Sequence, residues 1–164
     1  MRPVFLQVVL VMMVAFAADQ ASKWIILTQI MHPPHMIEVT PFFNLRLGFN
    51  TGLSFGLFEG AFAGRQELLI LITLAIIVAI AYWAFRVRVA LERFGLAMIA
   101  GGALGNNIDR WLRGAVTDFL DIHWGDWHWP AFNIADIFIS FGVVLFLVSS
   151  LRGEKEEARK EEAP

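Results

Sequence analysis

The stretch GNNIDRWLRGAVTDFLDIHWGDWHWPAFNIAD, residues 105–136, places Asp109, Arg110, Asp118 and Asp136 between segments almost free of charge. A charged side chain at the centre of a membrane helix costs roughly 2.5–3.5 kcal/mol on insertion scales, so groups retained this close to apolar segments call for a chemical or structural reason. Asp118 in AVTDFLDI and Asp136 in NIADIF carry no obvious ionic partner. Two carboxylates entering one half-polar layer share a proton, because like charge and desolvation raise one pKa and leave an acid beside a base. Such a pair activates water on a peptide carbonyl and protonates the leaving amine. A proton or cation pathway and buried structural polarity remain the alternative readings of the same acids.

Spacing adds neighbours to the two acids. Asn106, Asp109, Arg110 and Arg113 are three, four and seven apart and share one face of a helix. Asn133 and Asp136 are three apart, with Asn133 the better N-cap, and Ser140 follows four residues on. Other chemistries lack their residues. The chain has no cysteine, hence neither a thiolate nucleophile nor a disulfide framework. HWGDWH offers His123, Asp126 and His128, and HPPH offers His32 and His35. Both suit a membrane-interface loop better than a zinc site, and HExxH, Gly-x-Ser-x-Gly, P-loop and Rossmann patterns are absent from the sequence. No metal or cofactor is expected.

The elements that must position these residues are apolar. Of 164 residues, 57% are hydrophobic and 17% charged, with a mean hydropathy of +0.61, more than one soluble core of this size requires. The net charge of -2 offers no basic surface for nucleic acid. Four segments approach the length needed to cross about 30 Å of hydrocarbon: Val4–Leu27, Leu68–Phe85, the glycine-rich and weaker Phe94–Ile108, and Ala131–Leu151. The first has a rival reading as a cleavable signal peptide, with a small-x-small site at Ala15–Ala17. Apolarity resumes at Trp24–Leu27, however, and the length is that of a span, so an uncleaved helix is expected.

Arg2, Arg86, Arg88, Arg93, Arg152, Lys155, Arg159 and Lys160 all fall on one side of four crossings, which the positive-inside rule makes the cytoplasm. Both termini are then inside, and segments of about 30–67 and 113–130 lie outside. Phe42–Phe58 alternates in the manner of strands, broken by Gly48, Gly52 and Gly56, which predicts a small outer sheet. Trp124, Trp127 and Trp129 suit an interfacial aromatic belt. The expected fold is an all-α membrane protein of four transmembrane helices with a small extracytoplasmic β-cradle. It comprises a single domain over 1–153 and a charged cytoplasmic tail over 154–164. Several groups also have plain structural readings. Asp19 and Lys23 form an i,i+4 pair that lowers insertion cost. Asp109 and Arg110, adjacent and not facing, each pair elsewhere. Asn50 is a turn residue in FNTG, and Asp121 and Asp126 are solvated loop acids.

DQASK (19–23), FNTGLSFG (49–56), GGALGNNIDR (101–110), VTDF (116–119) and PAFNIAD (130–136) occur in this order along a chain that resembles, over nearly its full length, the bacterial lipoprotein signal peptidase (signal peptidase II) family. The resemblance implies an inner-membrane aspartyl endopeptidase with its active site near the outer leaflet. Such an enzyme cuts the signal peptide of prolipoproteins N-terminal to a diacylglyceryl-modified cysteine. It implies Asp118 and Asp136 as the catalytic dyad. Asn50, Gly52, Asn106, Arg110 and Asn133 are implied as groups holding the substrate backbone or the dyad, Asp19 and Lys23 as a supporting polar pair, and Asp109 as a helix-stabilising partner. It further implies a short amphipathic helix, diacylglyceryl-modified prolipoproteins and membrane lipids as partners, and a monomer. Ser54 stands where the family often has Ala, and Ala115 where many members have His; neither removes a dyad member.

Overall fold

The computed structural model describes residues 2–51 and 66–161, with side chains described for 4–51 and 66–152. Gly52 and Ser54, with the rest of the alternating stretch past residue 51, therefore lie outside the described residues. Among those described, helix α1 (Arg2–Ile25) runs into a π-helical turn (Ile26–Ile30), followed by strands β1 (Ile37–Thr40) and β2 (Phe43–Asn50). Helices α2 (Gln66–Arg86) and α3 (Ala90–Arg113) precede strands β3 (Val116–Trp124) and β4 (Trp127–His128), and α4 (Ile134–Glu161) closes the chain.

Three of these helices are long and apolar enough to cross a membrane: Val4–Ile30, Gln66–Arg86 and Ile134–Arg152, of 27, 21 and 19 residues. Large apolar side chains stand outward along them, among them Leu6 at 66%, Leu71 at 63% and Phe141 at 56% exposure, which water would not tolerate as a continuous belt and lipid does. Helix α3 has the length, 24 residues. It does not have the apolarity, because its distal half carries Asn106, Asn107, Asp109, Arg110 and Arg113. Its place explains its composition: α3 packs against α1, α2 and α4 alike, so Asn106, Asn107, Asp109 and Arg110 are buried against protein, with Arg113 exposed at the helix end.

Glycine makes that central position possible. A Cβ on Gly95 would lie 2.6 Å from the Gly142 carbonyl oxygen of α4, one on Gly102 2.6 Å from that of Ala135, and one on Gly101 2.5 Å from that of Met12 in α1. A Cβ on Gly105 would run into the Asp19 carboxylate. Backbones approach this closely only where side chains are missing. Val8, Ala84, Leu96 and Ala97 fill the apolar centre at the other end of the bundle.

The four strands form one antiparallel sheet in the order β1-β2-β3-β4. A shift between Leu45 and Gly48 resets the β2–β3 register so that Gly48 faces Asp118 and Asn50 faces Val116. Helix α3 is stopped by Gly114, left-handed at φ 73°, whose N–H returns to the Arg110 carbonyl at 2.9 Å. Gly125 at φ 59° opens the two-residue β3–β4 turn. The predicted outer segment 113–130 is thus largely a hairpin, and Asp118 sits on a strand paired along β2. The small outer sheet, expected from residues 42–58 alone, therefore also recruits VTDFLDIHW, which is covered on both faces over its first half, so the simple alternation of a half-exposed strand is absent.

Candidate active site

Asp118 and Asp136 are brought together by a backbone clamp ahead of α4. Phe132 bridges to β3, its carbonyl accepting from the N–H groups of Phe119 (3.0 Å) and Leu120 (2.9 Å), while its own N–H donates to Leu120 O at 3.1 Å. The next residue, Asn133, caps α4. Its Oδ1 accepts from Asp136 N–H at 3.0 Å, and its own N–H donates to Asp136 Oδ2 at 3.2 Å, a reciprocal arrangement akin to a capping box. The predicted cap is therefore present, and its side chain also reaches the other acid, with Asn133 Nδ2 donating to Asp118 Oδ1 at 2.6 Å. One asparagine holds both acids.

The second holder is Asn106 on α3. Its Oδ1 accepts from Lys23 Nζ at 2.9 Å and from Asn133 Nδ2 at 3.0 Å, leaving Nδ2 to donate to Asp136 Oδ1 at 3.1 Å. An ammonium only donates, so Lys23 fixes which way round the Asn106 amide stands and hence what Asp136 receives. Asn50, at the end of β2, hydrogen-bonds Asp118 from the sheet side. Asp118 and Asp136 are only 4% and 5% exposed. For Asp118, burial first and the neighbouring Asp136 charge second push the carboxyl up to about 7, against the opposing hydrogen bonds from Asn133 and Asn50. Arg110 lies within electrostatic reach of Asp136, Asp118 and Asp109, its Nη1 held by the Asn106 carbonyl at 3.4 Å.

Beneath the acids lies a fully buried ionic layer. Lys23 Nζ donates to Asp19 Oδ2 at 2.8 Å and stands 3.3 Å from Asp109 Oδ2; all three side chains are at 0% exposure. Asp19 Oδ1 also accepts the Ala135 N–H at 3.0 Å, so an α1 carboxylate sits on the positive end of α4. Asp109 accepts from Arg113 Nη1 at 2.5 Å and from the Thr117 N–H at 2.9 Å. Asp19 and Lys23 form the predicted i,i+4 pair. Asp109 reaches well past its own helix, tying α3 to the strand that carries Asp118.

Asp19, Lys23, Asn50, Asn106, Asp109, Arg110, Asn133, Asp118 and Asp136 thus converge at one end of the bundle, where α1, α3, β2, β3 and α4 meet; Gly52 is outside the described residues. Gln20 is a member of the site that sequence reasoning missed. Its amide donates to Asp19 Oδ2 (3.0 Å), Gly105 O (3.2 Å) and Asp109 Oδ1 (3.4 Å), and its place inside DQASK is the signal that could have found it. Asp121 corrects an expectation outright. It is 2% exposed, not solvated, because His128 and Asn44 bond to it.

An apolar groove of about 560 Å³ opens at Asp136, walled by Ile122, Trp127, Trp129 and Phe132 on one side and by Ile137, Phe141 and Val144 of α4 on the other. Asp136 and Ser140 supply its polar atoms. A carboxylate thus lines an apolar groove that runs along the exposed Ile137, Phe141 and Val144 side of α4.

A mostly helical bundle with a small antiparallel sheet is a fold shared with solved membrane enzymes. The chain is similar to a bacterial membrane enzyme solved by the in meso method at 2.3 Å, with 30% identity, a TM-score of 0.78, and coverage of 96% of this chain and 93% of that one. A second such structure, at 1.9 Å, gives 31% identity and a TM-score of 0.73 over 88% and 92%. Residues 11–152 match the family model described as signal peptidase (SPase) II, and the chain belongs to that family of membrane proteases. Curated relatives include a lipoprotein signal peptidase of Serratia marcescens, 43% identical over 88% of this chain and 85% of the relative. One of Anaplasma phagocytophilum (strain HZ) is 40% identical over 88% and 91%.

Proposed function

We propose that the chain is an aspartyl endopeptidase of the bacterial inner membrane that removes the signal peptide of diacylglyceryl-modified prolipoproteins, cutting N-terminal to the lipidated cysteine. The observation that carries this reading is the pair Asp118 and Asp136, buried together and both held by Asn133, whose side chain donates to Asp118 Oδ1 and whose backbone N–H donates to Asp136 Oδ2. In the singly protonated pair the carboxylate takes a proton from water as its oxygen attacks the scissile carbonyl, and the carboxylic acid supports the developing oxyanion. The proton then passes to the leaving amine as the C–N bond breaks, so the pair returns to its starting charge. Asn106, Asn133 and Asn50 orient the acids, and Arg110 offsets their negative charge.

The groove supplies the lipid side of the problem. Acyl chains on the cysteine remain among Trp127, Trp129, Phe141 and Val144 while the peptide reaches Asp136 at the polar end. The enzyme works as a monomer amid membrane lipids. The deciding experiment incubates the purified protein with a diacylglyceryl-modified prolipoprotein and weighs both products. Cleavage directly before the modified cysteine is the expected result; no cleavage, or a cut elsewhere, rejects the reading.

Two further expectations arise here. We place four helices across the membrane with both termini cytoplasmic and residues 154–164 as a cytoplasmic tail, because Arg86, Arg88, Arg93 and Arg152 then share the inner side. Reporter fusions at Gly60 and Gly125 read extracytoplasmic and one at Val89 cytoplasmic; a cytoplasmic Gly125 would reject this topology. Separately, Arg110→Lys loses most cleavage despite conserving charge, since a point charge replaces a planar fork. Cleavage near the wild-type rate in that variant would remove the geometric role of Arg110.

A further inference from the structure

The hairpin that walls the groove is fastened from its far side. On β3, Asp121 and Ile122 point to opposite faces of the sheet, as do His128 and its neighbours Trp127 and Trp129 on the return arm. The groove face carries Ile122, Trp127 and Trp129. The opposite face carries an interaction that membrane-interface loops do not need: His128 Nδ1 meets both Asp121 oxygens, at 2.8 and 3.0 Å, and Asn44 Nδ2 of β2 approaches the same carboxylate at 3.3 Å. The His123 and His128 rings stack at 5.1 Å between centroids, 21° from parallel.

We propose that Asp121 and His128 form a positioning pair for the proposed reaction, setting the Trp127–Trp129 wall of the substrate groove and thereby the enzyme's affinity for the apolar part of a lipid-modified substrate. The proposal rests on the groove's role in substrate binding given above. β4 is only two residues long, and its backbone ties to β3 are the pairings of His123 with His128 and Trp124 with Trp127, with Trp129 N–H donating to Ile122 O at 2.8 Å. A hairpin arm this short is marginal by itself, so a side-chain bond to a buried, charged acceptor counts for much of its order. Although burial works to raise the Asp121 carboxyl, the hydrogen bonds from His128 and Asn44, with the charges of His128 and Arg46, hold it below the usual carboxylate range. An ionised carboxylate only accepts, so Nδ1 of His128 carries the proton. Trp127 and Trp129 sit edge to face, 6.1 Å apart, and a shift of one moves both. Neither Asp121 nor His128 reaches the groove, and both act through the strands they hold.

The test compares wild type with His128→Ala, His128→Asn, Trp127→Ala and the double variant Trp127→Ala/His128→Ala, each as full chain in one detergent, cleaving a diacylglyceryl-modified prolipoprotein peptide. His128→Ala raises KM about tenfold with kcat within about twofold, the pattern of lost binding with chemistry intact. His128→Asn, whose amide nitrogen can stand near the position of Nδ1 and donate to Asp121, brings KM back to within about threefold of wild type. The double variant is no worse than Trp127→Ala, since the two residues act on one wall. Raised KM in Trp127→Ala with unchanged KM in His128→Ala overturns the positioning role alone. Equal damage in the Ala and Asn variants, or a fall in kcat without a change in KM, overturns it as well. Unchanged KM in Trp127→Ala overturns the groove reading beneath it. Where His128→Ala does not fold, the Asn variant and Asp121→Asn carry the same KM comparison.

Discussion

Asp118→Asn and Asp136→Asn each lower the cleavage rate about a thousandfold or more, and the double variant is scarcely worse than either, because groups acting as one unit do not add. The expectation follows from the way the acids are held. Asn133 and Asn106 donate to them through amide hydrogens, and an asparagine in place of either acid still offers an oxygen to that donor. Volume and architecture persist while the exchangeable proton is lost. The same substitution has a second, opposite consequence. Asp118 has its carboxyl raised to about 7 from an ordinary value of 3.8, so the folded protein binds this proton more tightly than the unfolded chain does. Folding stability from this group is therefore greatest at low pH, declines as pH rises past 3.8, and is fully lost above about 7. At pH 8, Asp118→Asn accordingly melts above the wild type while cleaving nothing, and the wild-type rate falls on the alkaline side with an apparent pKa near 7 as the shared proton leaves. Thermal unfolding in detergent and a pH–rate profile read both. Full turnover by either Asn variant removes the aspartyl reading and shifts weight to a proton pathway.

Lys23→Met is the second large effect. It leaves Asp19 and Asp109 as carboxylates at 0% exposure beside one another's helices without the ammonium that stands 2.8 and 3.3 Å from them. Removing one partner of a buried ionic group costs about 3–5 kcal/mol, more than the group adds when intact. A second loss is chemical. Without Lys23 the Asn106 Oδ1 keeps only the Asn133 amide as donor, so the orientation in which Asn106 donates to Asp136 is held less firmly. Lys23→Met is expected to melt well below wild type and, at temperatures where it stays folded, to cleave far more slowly. Adding Asp19→Asn restores part of the melting temperature and little of the rate. Wild-type melting and cleavage in Lys23→Met would contradict both halves of the argument.

Much of this arrangement could be read in the residues. The i,i+3 and i,i+4 spacings of Asn106, Asp109, Arg110 and Arg113 put them on one helix face, and Asn133 announced itself as the cap of α4, because helix periodicity and capping are local rules. The pairing of Asp19 with Lys23 is local too. What eluded the sequence is contact across the fold. Asp121 reads as a loop acid because its burial depends on His128 beyond a turn and Asn44 on another strand. The strand that carries Asp118 went unread because β3 is covered on both sides over its first half and lacks simple alternation. The link from Lys23 through Asn106 to Asp136 joins three helices, and no spacing within a single helix records it. Helix α3 extends past its apolar segment in both directions, to Ala90 and Arg113, since its ends are settled by neighbours and by Gly114 more than by hydropathy.

The composition of α3 bears on how the protein is made. In the proposed topology this helix crosses the bilayer, yet a segment with two asparagines, an aspartate and two arginines in its last eight residues would not leave the translocation channel for lipid unaided. It must be retained until α1 and the N-terminal end of α4 are there to receive it, because those supply Lys23, Asp19 and Asn133. Lateral release of α3 and assembly of the acid-bearing pocket are then a single event in biogenesis. In that topology a nascent chain halted before α4 emerges is expected to keep α3 at the channel, which crosslinking of stalled chains would read.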